Sequence, residues 1–169
     1  LNNSIKKDFN IFCLFRRKYR GLRREIFKFL KDSDLNQKYK IWVGTIRRSP
    51  KYYHTVNCAY MDQLIRSKIV VTAAPKNHEG DYRLYEALVS GSLVLTDGFI
   101  TPIKHPFINK KHLVIYKNMK QLKELLIYYL NNDAERENIA KEGKEYAMKY
   151  HTFVYRTKQI IDEIKKKEI

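Results

Sequence analysis

Two cysteines, four prolines, six glycines and one tryptophan in 169 residues leave little of what disulfide-rich or repeat-built folds need. Cys13 and Cys58 stand in no Cys-x-x-Cys or Cys/His spacing, which leaves neither a disulfide framework nor a zinc knuckle. Both sit among apolar or aromatic neighbours and read as small buried hydrophobes. His54, His78, His105, His112 and His151 show no H-x-x-x-H or H-E-x-x-H spacing, so no metal site is expected. Apolar runs stay below 18 residues and no segment has the order of a secretory leader. A cytoplasmic location is the expectation. Where a dinucleotide-binding G-x-G-x-x-G would follow the first β-like run, FRRKYRG stands instead, and a P-loop, internal repeats and a low-complexity linker are all absent.

Acidic residues are the other shortage, 18 against 34 Lys and Arg, for a net charge of +16. That excess raises nucleic acid, an anionic membrane or phosphorylated small molecules as partners without choosing among them. Most of the lysines are scattered and read as solvated faces. Denser groups occur at 16–24, 47–51, 110–111 and 165–167.

A hydrophobic content of 44% with 13 tyrosines is enough to bury a core, and the length suits a single domain over 1–169. FNIFCLF (9–15), KIWVGTI (40–46), KIVVTAA (68–74), LVLTD (93–97) and HLVIY (112–116) are apolar runs of strand length. Between them lie segments with helical spacing. GLRREIFKFLKD repeats Leu22, Ile26, Phe29 and Leu30, AYMDQLIRS places Tyr60 and Leu64 on one face, and YRLYEALVSG ends at Gly91. Three further helices close the chain, with Asn118, Asp133 and Thr152 as N-cap candidates. Buried-type strands alternating with helices predict an α/β, Rossmann-like parallel sheet with helices on both faces.

In such sheets ligands bind beyond the carboxyl ends of the strands. That edge gathers Arg16, Arg17 and Lys18, then Arg47 and Arg48, then the loop from Pro75 to Tyr82, then Thr96 and Asp97. The third loop runs into a helix whose first-turn N–H groups and dipole favour an anion. Arg83 adds a planar fork of donors for phosphate oxygens, and Glu86, a turn further on, can accept from both hydroxyls of a ribose. The plainer alternative is an i,i+3 surface ion pair worth a few tenths of a kcal/mol.

YRLYEALVSGSLVLTD resembles the signature of the C-terminal nucleotide-sugar-binding domain of GT-B glycosyltransferases. The Arg three residues before the Glu is similar to the "glycosyl transferases group 1" family of CgeB-like, spore-maturation type; exostosin-like transferases share a related pattern. The order of SKIVVTAAP, LVLTDG, the Asp-x-x-Arg-x-x-Ile-Ala-x-x-Gly segment at 133–143 and YHTFVYRTKQII extends the resemblance over most of the chain.

The resemblance implies a donor-binding half that transfers a hexosyl or pentosyl group from a nucleotide sugar. The acceptor, an unknown glycan, protein or lipid, would be held by an N-terminal domain that this chain has no room for. It implies Glu86 at the donor ribose, and Arg83 with Gly80, Asp81 and Tyr82 at the diphosphate. Arg16 and Arg17 occupy the position where relatives place basic residues for the phosphates. Relatives carry two glutamates with seven residues between them; here six residues lie between Glu79 and Glu86, and His78 stands at the expected place.

No catalytic base is identifiable. Transfer is expected to be metal-independent, with no D-x-D triplet expected in the chain and no cofactor beyond the nucleotide-sugar substrate. The competing reading is a basic nucleic-acid-binding or non-catalytic α/β domain, motivated by the charge and the aromatic stretch YKIWVGTIRRSPKYY. Because its aromatics fall at core-facing spacing, no specific nucleic acid is expected.

Overall fold

The computed structural model describes residues 5–16, 21–46, 58–74, 82–99 and 103–167. In chain order the elements are β1 (Phe9–Arg16), α1 (Leu22–Asp32), α2 (Leu35–Lys38), β2 (Ile41–Ile46), α3 (Cys58–Ile65) and β3 (Ser67–Val71). They continue with α4 (Tyr82–Val89), β4 (Leu93–Thr96), β5 (Val114–Ile115), α5 (Met119–Asn131), α6 (Asp133–Tyr150) and α7 (Phe153–Lys167). Among the described residues the strands form one sheet in the order β2-β1-β3-β4-β5, every pair parallel.

Period-two alternation sorts the strand side chains onto two covered faces. Ile11, Cys13, Phe15, Ile69, Val71, Leu93, Leu95, Val114 and Tyr116 face one way and meet Ile26 and Leu30 of α1 with Leu122, Leu126 and Tyr129 of α5. Phe12, Leu14, Val70, Val94 and Leu113 face the other way and meet Leu64 of α3, Leu84, Ala87 and Leu88 of α4, and Ala147 of α6. Each fully buried Leu or Ile in these layers contributes roughly 2 kcal/mol. Trp42 stacks on Phe12 with ring centroids 5.1 Å apart, so this aromatic of the YKIWVGTI run packs on the sheet and is not displayed as a stacking platform.

The order reverses beside β1, which has β2 on one flank and β3 on the other. At such a switch point the two crossovers leave on opposite faces and a crevice opens at the carboxyl ends of the two central strands. Here those strands are β1 and β3.

Local chemistry explains the element ends. Asn118 caps α5 by accepting from the Gln121 N–H at 2.9 Å, and Thr152 caps α7 by accepting from the Tyr155 N–H at 3.2 Å. Gly91 closes the turn after α4 at φ 71, a conformation that favours glycine. Gly143 lets α6 approach the chain before β5: a Cβ there would lie 2.0 Å from the His112 carbonyl oxygen.

Several expectations fail locally. Asp133 is the first residue of α6 rather than its N-cap, which is Asn132; its carboxylate instead pairs with the buried Arg136. Cys58 is exposed, because it opens α3, where only Leu64 is buried. The fifth strand is two residues long, not five. The short helix α2 has no apolar periodicity and was not expected; Asn36 holds it against α1 by donating to the Leu30 carbonyl at 2.7 Å.

Candidate functional site

The switch point is bridged by two arginines reaching in opposite directions. Arg83, in the first turn of α4 on one face, donates Nη1 to the carbonyl oxygen of Leu14 in β1 at 2.9 Å. Arg23, in the first turn of α1 on the other face, donates Nε to the carbonyl oxygen of Ala73, just past β3, at 2.8 Å, and its Nη2 contacts the same oxygen. The Arg23 guanidinium also lies 5.2 Å from the centre of the Phe15 ring. Each helix therefore delivers a cation to the end of a strand it does not follow. Helix α1 follows β1 yet serves β3; α4 follows β3 yet serves β1.

Glu86 stands on the next turn of α4, and its carboxylate accepts from the Tyr60 hydroxyl of α3 at 2.5 Å. Arg83 and Glu86 thus lean on different elements, so the i,i+3 ion pair is not what the described contacts show. A carboxylate with four lone-pair sites and one donor already oriented on it has a defined direction and further accepting capacity.

Beside them the strand ends are tied together by side chains. Asp97, after β4, accepts from the Ala74 N–H at 2.8 Å, and burial raises its pKa above the ordinary carboxylate value. The Tyr116 hydroxyl donates to the Thr72 carbonyl at 2.7 Å, and burial raises its pKa as well. These bonds hold the segment after β3 in place up to Ala74.

Of the residues singled out from the sequence, Tyr82, Arg83 and Glu86 lie together on α4, with Tyr82 83% exposed. Arg16 ends β1 opposite Ile46 of β2. Arg17, His78, Gly80 and Asp81 lie outside the described residues, as does Glu79. Sequence reasoning missed Arg23 and Tyr60 as members of the site. Arg23 belongs to the basic cluster RRKYRGLRR that the sequence flags at a strand-to-helix transition; Tyr60 was assigned to the core face of its helix and carries no further signal.

The described histidines serve packing elsewhere. His112 stacks on Tyr146 with centroids 3.9 Å apart, His105 stacks on Tyr150 at 4.4 Å, and His151 lies against Phe107 at 4.4 Å. Burial, with Arg156 nearby, holds the His151 pKa down at about 4. Among the described residues no group of His, Cys, Asp or Glu could hold a metal ion. The sequence does contain one D-x-D triplet, Asp32-Ser33-Asp34, against the expectation. It lies at the end of α1, towards the amino edge of the sheet and away from Arg23 and Arg83. No described helix is long and apolar enough to cross a membrane.

The sequence pattern of the glycosyl transferase-like family matches residues 16–162, most of the chain. No curated protein matches the sequence. Among solved structures, the C-terminal domain of a glycosyl transferase group 1 family protein (LpcC) from Francisella tularensis superposes with a TM-score of 0.59 at 14% identity, over 88% of this chain and 89% of that one. Anabaena HepE, solved in complex with UDP and glucose, gives 0.60 at 13% identity over 94% of this chain and 48% of that one. The pneumococcal O-GlcNAc transferase GtfA, in complex with UDP and GlcNAc, gives 0.56 at 14% identity over 98% and 36%. The chain therefore corresponds to a whole C-terminal domain in the first case and to less than half of the longer chains. At these identities the likeness is one of fold: a Rossmann-like domain of the GT-B C-terminal kind.

Proposed function

The chain belongs to the glycosyl transferase-like family, and from that membership we propose that it is the donor-binding domain of a glycosyltransferase taking its sugar from a nucleotide sugar. The observation that carries this reading is the divergence of Arg83 and Glu86 at the β1/β3 switch point, each oriented by a separate element. A cation and an accepting carboxylate held apart at that crevice match a ligand with a phosphate and a diol, and a surface ion pair would not need either support.

In this reading Glu86 accepts from the ribose hydroxyls, with Tyr60 setting the carboxylate's direction. Arg83 and the Gly80 to Tyr82 loop meet the diphosphate, with Arg16, Arg17 and His78 as further contacts. As the bond between the anomeric carbon and the terminal phosphate oxygen breaks, negative charge builds on the diphosphate. Arg83 and the N-terminal end of α4 stabilise it without a metal ion. The group moved is a hexosyl or pentosyl unit, and UDP is the first nucleotide to test because HepE and GtfA were solved with it.

An acceptor-binding α/β domain completes the enzyme. Helix α7 supports that part of the proposal, since Phe153, Val154, Ile160 and Ile164 leave an apolar face in water that a second domain would cover. The acceptor, a glycan, protein or lipid, would be bound there.

Thermal unfolding with UDP, GDP, ADP and a single-stranded oligonucleotide tests the reading. One nucleotide should raise the midpoint, and Arg83→Ala and Glu86→Ala should each weaken its affinity about 10- to 100-fold, the loss of a charge-assisted hydrogen bond. Stabilisation by the oligonucleotide alone would overturn it in favour of a nucleic-acid-binding domain.

A further inference from the structure

A cavity of about 760 Å3 opens at the amino edge of the sheet, on the side away from Arg83 and Glu86. Its walls come from the segment before β1, the start of β3, the α4–β4 turn and helix α6. Among the described residues six cations line it, Lys6, Lys7, Lys68, Arg136, Lys141 and Lys144, against the single carboxylate of Glu137. That carboxylate is already engaged, accepting from Arg136 Nη2 at 3.1 Å.

Lys7 is built into the wall. Its ammonium is ringed by the carbonyl oxygens of Ile65, Ser67 and Ser90 at 3.0, 2.9 and 3.2 Å and by the Ser92 hydroxyl at 3.1 Å. All four acceptors are neutral, so a part-buried positive charge is held in place without a counter-charge. Burial first, then Lys144 and Arg136, bring its pKa down to about 8. Arg136 is committed likewise, to the Tyr129 carbonyl, Asp133 and Glu137.

These two cations fix the shape and Lys68 is half-buried, which leaves Lys6, Lys141 and Lys144 as exposed side chains lining the cavity, none in a described ion pair. The same edge shows what an ordinary basic surface does here: Lys40 and Arg66 pair with Asp8 at 3.1 and 2.5 Å, and Arg66 pairs with Asp62 at 3.0 Å. Cations that converge on a concavity of small-ligand size, while their neighbours are neutralised, lack an anion.

We propose that this cavity binds a soluble oligophosphate, with Lys6, Lys141 and Lys144 contacting the phosphates over a floor fixed by Lys7 and Arg136. The concave shape of this open cavity favours a discrete ligand over a planar membrane surface, and three exposed cations favour several phosphates over one. The site is separate from the nucleotide-sugar reading and does not rest on it.

Isothermal titration with tripolyphosphate, pyrophosphate and orthophosphate, at ionic strength balanced with sodium chloride, tests the proposal. Saturable 1:1 binding is expected, tightest for tripolyphosphate, and the double variant Lys141→Gln/Lys144→Gln should weaken it at least ~10-fold, about 1.4 kcal/mol. Both substituted residues are exposed on α6, and far-UV circular dichroism is the check that the variant folds. Arg83→Ala should leave the binding unchanged. Heat that tracks ionic strength without saturating, binding unaltered in the double variant, binding lost in Arg83→Ala, or a response only to phosphatidylglycerol vesicles would each overturn it.

Discussion

The two edges of the sheet hold cations in opposite ways. At the carboxyl edge Arg23 and Arg83 each donate to a carbonyl at the end of a strand their helix does not follow, and the carboxylates Asp97 and Glu86 at that edge are oriented by partners of their own. At the amino edge Lys7 and Arg136 support a cavity that Lys6, Lys68, Lys141 and Lys144 also line. A count of basic residues treats the edges alike; the partners separate them. One edge holds charge of both signs in fixed directions, as a ligand with phosphate and hydroxyl groups needs. The other has a cavity in which one sign predominates.

Three substitutions sharpen that contrast. The largest effect is expected at Arg136, which is 2% exposed and joins the end of α5 to α6. Arg136→Ala should lower the unfolding free energy by about 3 kcal/mol, since it orphans the Tyr129 carbonyl and opens a void. Urea midpoints at constant m-value would show it. A loss below ~1 kcal/mol would mean that the amino-edge cations are not structural supports.

Next comes Lys7. Its folded pKa of about 8 lies below the ordinary 10.5, so the folded state binds fewer protons than the unfolded chain between those values. Stability should therefore rise with pH from about 8 to 10.5, by about 2 kcal/mol after allowing for residual exposure. Lys7→Met should remove that portion of the rise. A wild-type and variant difference that is flat across this window would contradict the buried, uncompensated charge.

The smallest effect is at the carboxyl edge. Tyr60→Phe deletes one hydrogen bond to Glu86 and should weaken nucleotide affinity about 5-fold, about 1 kcal/mol, while leaving the unfolding midpoint nearly unchanged. A midpoint that falls without any change in affinity would make Tyr60 a core residue only.

Much of this arrangement was legible in the chain itself. The runs at 9–15, 40–46, 68–74 and 93–97 became strands because continuous apolar segments of that length suit a sheet covered on both faces. Asn118 and Thr152 capped their helices because a side-chain oxygen at that position satisfies an N–H the helix cannot. The Asp-x-x-Arg-x-x-Ile-Ala-x-x-Gly segment was visible as a pattern, but its physical meaning was not. Arg136 holds the α5–α6 corner, Ile139 and Ala140 enter the core, and Gly143 makes room for a carbonyl of another segment.

Sequence order and periodicity determined the α/β class, the two covered faces and the presence of Arg83 and Glu86 near a strand end, because those follow from local propensity and side-chain alternation. Only the tertiary structure decided that β1 and β3 are neighbours, that Arg23 and Arg83 cross between them, and that Tyr60 meets Glu86. It also decided that lysines at 6, 7, 68, 141 and 144 share one cavity. Each of these is a meeting of residues distant in sequence, set by where the chain reverses its direction of winding, and spacing along the chain carries no record of that choice.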